Sequence, residues 1–363
     1  MKLFVFGSSI TSSYWNGAAT YYRGIYKQLR ALGHEITFAE PDAYGRQQKR
    51  DAEDFSYVHS IVYRDAEEIP ALLAQAAGCD LVIKHSGVGV FDELLEEKVL
   101  ECRSSDTRVA FWDVDAPATL ARVEANSNDP FRRLLPEYDF IFTYGGGLPV
   151  IEHYMRLGAR NCHPIYNALD PETHHPVEPV PEFACDLLFV GHRLPDRERR
   201  VEDLFLRAAD LAPERRFALG GEGWEGKRMP GNVRWIGHVS TNDHNRVNCS
   251  ARMVLNINRD SMAGVGFSPP TRVFEAAGAG VCLITDRWAG IDTFFEPEQE
   301  ILVAGSAEEI VHYLRTIPAS RAREIGENMR QRALRDHTYE LRAREFDAIV
   351  ENAFENAASI SSR

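Results

Sequence analysis

Short apolar runs alternate with helical patterns along most of the chain, and this alternation constrains the fold more than any other feature. A parallel strand buried on both faces reads as a short apolar run, and successive parallel strands need a crossover, usually a helix. The alternation therefore predicts an α/β protein with parallel sheets. In the first half, strands are predicted at residues 3–6, 36–39, 81–84, 109–112 and 140–144. In the second half, they are predicted at residues 187–190, 217–219, 233–236, 254–257, 281–284 and 301–303.

A proline-rich segment separates the two series of strands. Residues 170–182 contain four prolines, and proline cannot donate the backbone hydrogen bond that a helix or a central strand needs. The length of 363 residues also fits two ordinary domains. We therefore predict an N-terminal domain at residues 1–169, a linker at 170–182, a second domain at 183–336, and a terminal helix and tail at 337–363.

The terminal helix is predicted to return to the first domain. Leu341, Phe346, Ile349 and Val350 recur at helical spacing, and an apolar stripe of that length is costly to leave in water. The second domain is already complete before this helix begins. The stripe is therefore expected to pack across the linker, onto the first domain.

The charge balance argues against two classes of partner. The sequence has 54 acidic and 41 basic residues, which gives a net charge of −13, and such a surface repels nucleic acid and anionic membranes. A local basic pocket for a phosphorylated ligand remains compatible with this charge. The apolar stretch at residues 3–6 is too short for a signal peptide or a membrane span. We expect a cytoplasmic protein without a transmembrane segment.

The loop after the first predicted strand is rich in small hydroxylated residues. Ser8 and Ser9 follow the strand, and a helix is predicted to begin near Asn16 or Gly17. Ligands of open α/β sheets bind beyond the carboxyl ends of the strands, where these groups would suit an anion or sugar hydroxyls. The dinucleotide fingerprint G-x-G-x-x-G is absent. The alternative is a plain turn whose serines satisfy backbone groups.

The segment at residues 268–286 is the most informative in the chain. Ser268 is expected to cap a helix whose first turn carries Arg272, and a helix N-terminus attracts phosphate. Glu275 lies three residues further on, on the same side, where its carboxylate can accept hydrogen bonds from both hydroxyls of a ribose. The alternative is a buried helix in which Arg272 and Glu275 merely pair with each other.

This segment, R-V-F-E-A-A-G-A-G-V-C-L-I-T-D, resembles the nucleotide-sugar half of group 1 glycosyltransferases with the GT-B fold, in particular the CgeB-like (spore maturation protein-like) branch. Residues 13–23, 111–117, 188–197 and 233–239 are similar to the same branch. The resemblance covers nearly the whole chain. It implies two Rossmann-like domains with a cleft between them, a nucleotide-sugar donor held by the second domain and an acceptor held by the first.

The resemblance also implies residue roles. Glu275 matches the ribose-binding glutamate, whereas Phe267 stands eight residues earlier, where family members often carry another glutamate near the donor sugar. Arg193 and Arg197 resemble the basic residues that face the diphosphate; their alternative is a solvated charged helix. The donor site implied in this way comprises Gly191, Arg193, Arg197, Gly237, Val239, Ser268, Thr271, Arg272 and Glu275.

Guanidinium groups also suit the chemistry of such a reaction. A departing nucleoside diphosphate gains negative charge, which fixed guanidinium groups stabilise without a metal ion. We therefore expect a metal-independent glycosyltransferase of the hexosyltransferase type (EC 2.4), with retention favoured over inversion, no cofactor beyond the nucleotide-sugar, and an unidentified glycan, protein or small molecule as acceptor. The alternatives are a non-catalytic nucleotide-sugar-binding or coat-assembly protein and a GT-B nucleotide-sugar epimerase.

Residues at other strand ends of the first half are candidates for the acceptor side. Asp113 and Asp115 either face an acceptor, one of them as a general base, or cap the following turn. A D-x-D motif also holds a divalent metal in single-domain glycosyltransferases, but two sheets favour GT-B. His85 is either a sugar contact and third catalytic candidate, or a buried core histidine. Tyr144 and Gly145 begin either a ligand-contacting turn or a merely flexible one.

Overall fold

The computed structural model describes residues 1–51 and 55–361, and its contacts divide the chain into two compact units. The first unit consists of Met1–Asn167 together with the C-terminal segment that begins at Tyr339. The second unit is Ala168–Thr338. The second unit is therefore formed by one continuous segment, whereas the first unit is formed by two segments, one before it and one after it in the sequence.

The first unit is a parallel sheet covered by helices. Within the described residues its strands are β1 (Lys2–Phe6), β2 (Glu35–Pro41), β3 (His59–Tyr63), β4 (Leu81–His85), β5 (Arg108–Asp113), β6 (Phe140–Thr143) and β7 (His163–Pro164). They pair in the order β3-β2-β1-β4-β5-β6-β7. The helices before the chain leaves this unit are α1 (Ala19–Ala31), α2 (Ile69–Ala76), α3 (Asp92–Lys98), α4 (Ala116–Ala125), α5 (Pro130–Leu134) and α6 (Gly147–Arg156).

The second unit repeats this architecture. Its strands, within the same described residues, are β8 (Cys185–Val190), β9 (Phe217–Gly220), β10 (Val233–Gly237), β11 (Ala251–Asn256), β12 (Leu283–Asp286) and β13 (Leu302–Ala304), in the order β10-β9-β8-β11-β12-β13. Its helices are α7 (Pro195–Val201), α8 (Arg207–Leu211), α9 (Thr241–Ser250), α10 (Asp260–Val265), α11 (Thr271–Ala279), α12 (Ala307–Thr316) and α13 (Ala319–Asp336). A π-helical turn, Glu202–Leu206, joins α7 to α8.

The last helix, α14 (Tyr339–Ser361), completes the first unit by packing on α1. A Cβ atom at Gly24 of α1 would lie only 2.2 Å from the ring of Tyr339, so the helices touch at a glycine. The buried stripe is Tyr339, Ala343, Phe346 and Val350. Leu341 was predicted to lie on this stripe, but it is exposed because it follows Tyr339 by two residues, about 200° around the helix.

The proline-rich segment at residues 170–182 lies within the second unit and is bonded to α9. The backbone N–H of Val180 donates to Ser250 Oγ at 2.7 Å, and that of Val177 donates to Cys249 Sγ at 3.4 Å. Side chains of α9 thus accept hydrogen bonds from backbone N–H groups of this segment, whose prolines keep it out of a sheet. Within the described residues, every helix is too short or too polar to cross a membrane.

Candidate functional site

Two arginine side chains converge at the carboxyl end of β8 in the second unit. Gly191 follows this strand directly, and a Cβ atom placed there would lie 2.9 Å from Arg197 Nη2 and 3.1 Å from Arg272 Nη2. Arg197 comes from α7 and Arg272 from the first turn of α11. The absent side chain at Gly191 therefore lets both guanidinium groups approach the same stretch of backbone.

Both guanidinium groups are held by uncharged acceptors. Arg272 Nε donates to the carbonyl of Val190 at 2.5 Å, and its Nη1 donates to Asn256 Oδ1 at 2.8 Å. Arg197 Nη2 donates to the carbonyl of His192 at 2.5 Å. Each guanidinium carbon also lies over the ring of Phe189, at 5.3 Å for Arg272 and 5.6 Å for Arg197. These contacts fix the positions of two positive charges without neutralising them.

Within the described part of the chain, neither Arg197 nor Arg272 has a carboxylate oxygen within 4.0 Å. Burial, together with repulsion from Arg272, lowers the pKa of Arg197 to about 9, and burial also lowers the pKa of Arg272. Buried charges in proteins are ordinarily paired, because leaving them unpaired costs several kcal/mol. This pair of arginines is therefore a candidate site for an anion.

Glu275 lies one turn along α11 from Arg272 and pairs with neither arginine. It is 8% exposed, and its Oε2 lies 3.6 Å from His244 Nδ1 of α9. Burial opposes its ionisation, but His244, His174 and Arg272 hold the pKa of Glu275 below its ordinary value. Glu275 is thus kept as a carboxylate beside the arginine cluster, the state that accepts hydrogen bonds from two neighbouring hydroxyls.

The helix that carries Arg272 and Glu275 begins later than the sequence predicts. Ser268 Oγ donates to the carbonyl of Gly266 at 2.9 Å, and α11 begins at Thr271 after an extended Pro270. The prediction that Ser268 caps this helix is wrong, because Pro270 forces the residue before it out of the helical conformation. Ser268 remains buried directly before the helix and supports its entry loop.

Arg193 differs from Arg197 in having a carboxylate partner. Its Nη2 donates to Glu198 Oε1 at 2.7 Å, and Lys227 contacts the same carboxylate at 2.8 Å. These two cations lower the pKa of Glu198 to about 2. The charge of Arg193 is therefore already balanced. Gly237 is the last residue of β10, and Val239 lies two residues beyond it. Gly237 has φ of +73°, and its carbonyl oxygen accepts a hydrogen bond from the Gly221 N–H at 2.7 Å.

In the first unit, the loop after β1 is fixed by its own hydrogen bonds. Glu40 of β2 is fully buried and accepts the N–H groups of Ile10 and Thr11 at 2.7 and 3.3 Å. Asn16 Oδ1 accepts a hydrogen bond from Ser8 Oγ at 3.0 Å, and Asn16 Nδ2 donates one to the Ser9 carbonyl at 2.7 Å. The predicted acceptor residues Ser8, Ser9 and Asn16 are therefore buried, while Gly17 beside them is exposed.

Asp113 lies at the end of β5 and is fully buried. It accepts hydrogen bonds from Ser86 Oγ at 2.6 Å, from the backbone N–H of Asp115 at 2.9 Å and from the hydroxyl of Tyr154. Burial raises its pKa, and these donors oppose the rise. The structure thus uses Asp113 to hold the loop together, whereas Asp115, at the start of α4, retains partly exposed surface.

His85, at the end of β4, is enclosed by aromatic rings. Its Nε2 lies 2.5 Å from the hydroxyl of Tyr26, and its ring centroid lies 4.5 Å from that of Tyr22. Burial lowers its pKa to about 3, so it is neutral at physiological pH. In this structure His85 belongs to the core. Tyr144 is partly exposed with Gly145 buried beside it, so the structure leaves Tyr144 accessible at this strand end.

Two exposed aromatic residues in the strand-end loops of the first unit were not among the candidates predicted from the sequence. Trp15 is 44% and Tyr44 57% exposed, and both have positive φ, 47° and 57°. The buried guanidinium of Arg46 donates to the carbonyl of Trp15 at 3.3 Å and lies 5.0 Å from the centroid of the Tyr44 ring. Trp15 lies in the segment 13–23 that resembles the family, but neither residue is singled out there, because isolated aromatic residues in loops lack the periodicity that marks strands and helices.

Comparisons with known proteins match either part of the chain or nearly all of it. Residues 197–348 match a family model described as glycosyl transferase-like. No curated protein matches the sequence. Among solved structures, sucrose-phosphate synthase from Thermosynechococcus elongatus is 14% identical with a TM-score of 0.67, and the match covers 98% of this chain and 100% of that one.

Two further structures are similar over the whole chain. HepE of Anabaena in complex with UDP and glucose is 12% identical with a TM-score of 0.70, covering 97% of this chain and 100% of that one. An alpha-glucosyltransferase in complex with UDP and a 13-mer DNA containing an HMU base is 13% identical with a TM-score of 0.71. The match covers 97% of this chain and 99% of that one. These similarities show that the chain has the GT-B fold, as the sequence predicts.

Proposed function

We propose that this protein is a glycosyltransferase that takes a hexose from a nucleotide-diphosphate-sugar bound by the second unit. The observation that carries the proposal is the pair of guanidinium groups of buried Arg197 and partly buried Arg272, which meet at Gly191 without a carboxylate within ion-pair distance in the described structure. A diphosphate supplies the missing negative charge. The family match at residues 197–348 and the UDP-bound structural neighbours support the same reading.

In this proposal each donor residue has a distinct role. Arg197 and Arg272 bind the diphosphate and stabilise the charge that grows on it as the glycosidic bond breaks. Glu275 accepts the ribose hydroxyls, and the backbone from Gly237 to Val239 meets the base. Because fixed guanidinium groups supply the positive charge, we propose turnover without a metal ion. Retention of configuration is favoured over inversion, on the resemblance to group 1 glycosyltransferases alone.

The acceptor is assigned to the strand-end loops of the first unit, around Gly17, Tyr144 and Asp115. Asp115 is the general-base candidate that we retain, because it has exposed surface where Asp113 and His85 have none. A net charge of −13 favours a glycan, a protein or a small molecule over nucleic acid. One structural neighbour is described with DNA, so DNA belongs among the acceptors to be tested.

The first experiment is a thermal-shift and calorimetric screen of UDP-, GDP- and dTDP-sugars. A ligand at 100 times its dissociation constant adds about 2.7 kcal/mol to stability, which is easily detected. The nucleotide-sugar that binds is then incubated with the protein in the absence of an acceptor. Slow release of the nucleoside diphosphate supports a transferase, conversion into an isomeric nucleotide-sugar indicates an epimerase, and tight binding without turnover indicates a binding protein. Failure of all three donors to bind contradicts the proposal.

Metal dependence is tested in the same assay. Turnover is expected to persist in excess EDTA. If EDTA abolishes turnover and Mn²⁺ restores it, the guanidinium groups do not replace a cation, and the metal-independent mechanism is wrong.

A further inference from the structure

The two most exposed aromatic residues in the described part of the chain lie at one edge of the first sheet. Trp15 is 44% exposed and follows β1, and Tyr44 is 57% exposed and follows β2. Because β1 and β2 pair in parallel, the loops after them lie at the same edge. Ligands of open α/β sheets bind beyond this edge. The two residues are therefore accessible where a ligand is expected.

Tyr44 reaches from the loop after β2 to the loop after β4. Its hydroxyl donates to the carbonyl of Gly89 at 2.6 Å, and a Cβ atom at Gly89 would lie 2.7 Å from the Tyr44 ring. In the sheet, β2 and β4 lie on opposite sides of β1. The chain order of the strands thus reverses between β1 and β4, and ligands of such sheets bind at this reversal.

One guanidinium group supports both aromatic residues. Arg46 is buried, and its guanidinium carbon lies 5.0 Å from the centroid of the Tyr44 ring. Arg46 Nη2 donates to the carbonyl of Trp15 at 3.3 Å. Tyr44 is therefore held by Arg46 and by Gly89 while more than half of it stays exposed. A side chain that is already fixed loses little conformational entropy when a ligand packs on it.

The backbone of both aromatic residues is strained. φ is +47° at Trp15 and +57° at Tyr44, in the left-handed region that bulky residues rarely adopt. A turn that needs only this conformation uses glycine or asparagine at a lower cost in free energy. Strain of this kind is concentrated at ligand sites. The two residues are therefore better explained by a use for their rings than by the needs of the turns.

The polar side chains of the same edge leave little for a ligand to bond. Ser8, Ser9 and Asn16 are buried, and their hydrogen bonds stay within their own loop. Aromatic surface is what Trp15 and Tyr44 add to this edge. A pyranose ring has a flat face of C–H bonds bordered by hydroxyl groups, and the negative face of an aromatic ring attracts such C–H bonds.

We propose that Trp15 and Tyr44 form a platform on which a pyranose ring of the acceptor stacks, so that the acceptor is a saccharide. The inference rests on the proposed function, because it names the acceptor of the same reaction. Nucleobases also stack on aromatic side chains, but a net charge of −13 opposes the approach of a nucleic acid strand. A peptide backbone presents hydrogen-bonding groups, which the buried polar side chains of this edge do not match.

Acrylamide quenching of tryptophan fluorescence tests the platform in the wild-type protein. The probes are cellobiose, maltose, lactose and mannobiose, each added with the nucleoside diphosphate that binds best among UDP, GDP and dTDP. A bound saccharide should reduce quenching because it covers Trp15, and the reduction should disappear in Trp15→Phe, which keeps a ring but lacks this fluorophore. An oligothymidylate and a peptide containing Ser and Thr are the competing probes. Protection by either of these alone, or by no probe at all, overturns the assignment.

Transfer assays separate stacking from a general effect on the first unit. Release of nucleoside diphosphate above the donor-only rate is compared in Trp15→Ala, Tyr44→Ala, Trp15→Phe and the control Met155→Ala, which alters a side chain of similar exposure, 45%, on α6. Loss of either ring should raise the KM for the saccharide roughly three- to ten-fold with kcat little changed. Trp15→Phe should recover most of this loss, and Met155→Ala should match the wild type. Nucleotide affinity should be unchanged in all four variants.

The outcomes distinguish the platform from the function on which it rests. An unchanged KM in both Trp15→Ala and Tyr44→Ala overturns the platform, as does an equal rise in Met155→Ala. A protein that binds and hydrolyses a nucleotide-sugar but transfers only to the peptide or the oligonucleotide overturns the platform alone. If the wild-type protein binds no nucleotide-sugar, the proposed function itself fails.

Discussion

Buried charge is treated differently at the strand ends of the two sheets. In the first unit, the buried carboxylates of Glu40 and Asp113 accept hydrogen bonds from N–H and O–H groups of the loops after β1, β4 and β5. In the second unit, Arg197 and Arg272 are bonded to carbonyl and amide oxygens, with no carboxylate within ion-pair distance in the described structure. The first arrangement is complete without a ligand. In the second, the two cations have no ion pair, and this difference is the basis on which we propose a binding role for them.

Removal of Arg272 should have the largest effect on nucleotide binding. Arg272→Met keeps much of the apolar volume over Phe189 but deletes a partly buried charge, so we expect nucleoside diphosphate affinity to fall about 100-fold or more. Its melting temperature without ligand should change little, because the loss of the hydrogen bonds to Val190 and Asn256 is offset by removal of a partly buried cation that has no ion pair. Calorimetry and thermal unfolding measure the two effects.

The matched control is Arg193→Met, which alters a guanidinium already paired with Glu198. It should change nucleotide affinity much less than Arg272→Met does. If the two variants lose affinity equally, pairing with a carboxylate does not distinguish the arginines, and the proposed difference between the two edges fails.

Asp113 provides the converse test in the first unit. Asp113→Ala leaves three buried donors without an acceptor, which should cost roughly 3 kcal/mol of unfolding free energy. Asp113→Asn keeps one amide oxygen and should recover most of that loss. Urea unfolding of both variants gives the values, and nucleotide affinity should be unchanged. If turnover is abolished equally in both variants while Asp113→Asn is stable, Asp113 is a general base after all.

Glu275→Gln should have an intermediate effect confined to the nucleotide. The amide keeps the shape but loses the charge-assisted hydrogen bonds to the ribose, so affinity for the nucleoside diphosphate should fall by about 1–3 kcal/mol. Inorganic pyrophosphate, which has no ribose, is the control ligand and should bind as before. Unchanged affinity for UDP, GDP and dTDP would remove Glu275 from the site.

The smallest expected effect concerns acid stability of the first unit. The pKa of His85 is about 3 in the folded protein, below the ordinary value near 6.5, so the unfolded chain binds the extra proton between these values. Stability should therefore fall as pH drops below 6.5, by up to about 1.4 kcal/mol per pH unit. Hydrogen exchange in β4 and α1 at pH 7 and pH 5 measures this loss locally. His85→Gln should reduce the loss of stability between pH 7 and pH 5. If the pH dependence is the same in this variant as in the wild type, His85 is not its cause.

The sequence predicts most of the sheet strands because parallel strands are buried on both faces. The two strands that it missed, β3 and β7, lie at the edges of the first sheet. β3 is only partly buried, and β7 has two residues, one of them a proline. Their side chains therefore lack a continuous apolar run, and their pairing depends on neighbours that local sequence does not reveal.

The residues of the candidate site could be predicted from the sequence, but the side chains that each of them contacts could not. The sequence identifies Arg193 and Arg197 equally as candidates, yet only the structure shows that Glu198 neutralises Arg193. The rings of His192 and His238, whose centroids lie 6.5 Å apart, come from residues that are 46 positions apart in the chain. Such relations depend on which strands are neighbours in the sheet, so no local pattern of the sequence predicts them.

The return of α14 to the first unit has a consequence for how the protein is made. Because Tyr339 and Phe346 supply part of the buried surface under α1, the first unit cannot be completed when its first 167 residues leave the ribosome. All 171 residues of Ala168–Thr338 are translated in between, which takes about 9–34 s at 5–20 residues per second. During that interval the apolar face of α1 is uncovered and open to chaperones, and the unit synthesised second can finish folding first.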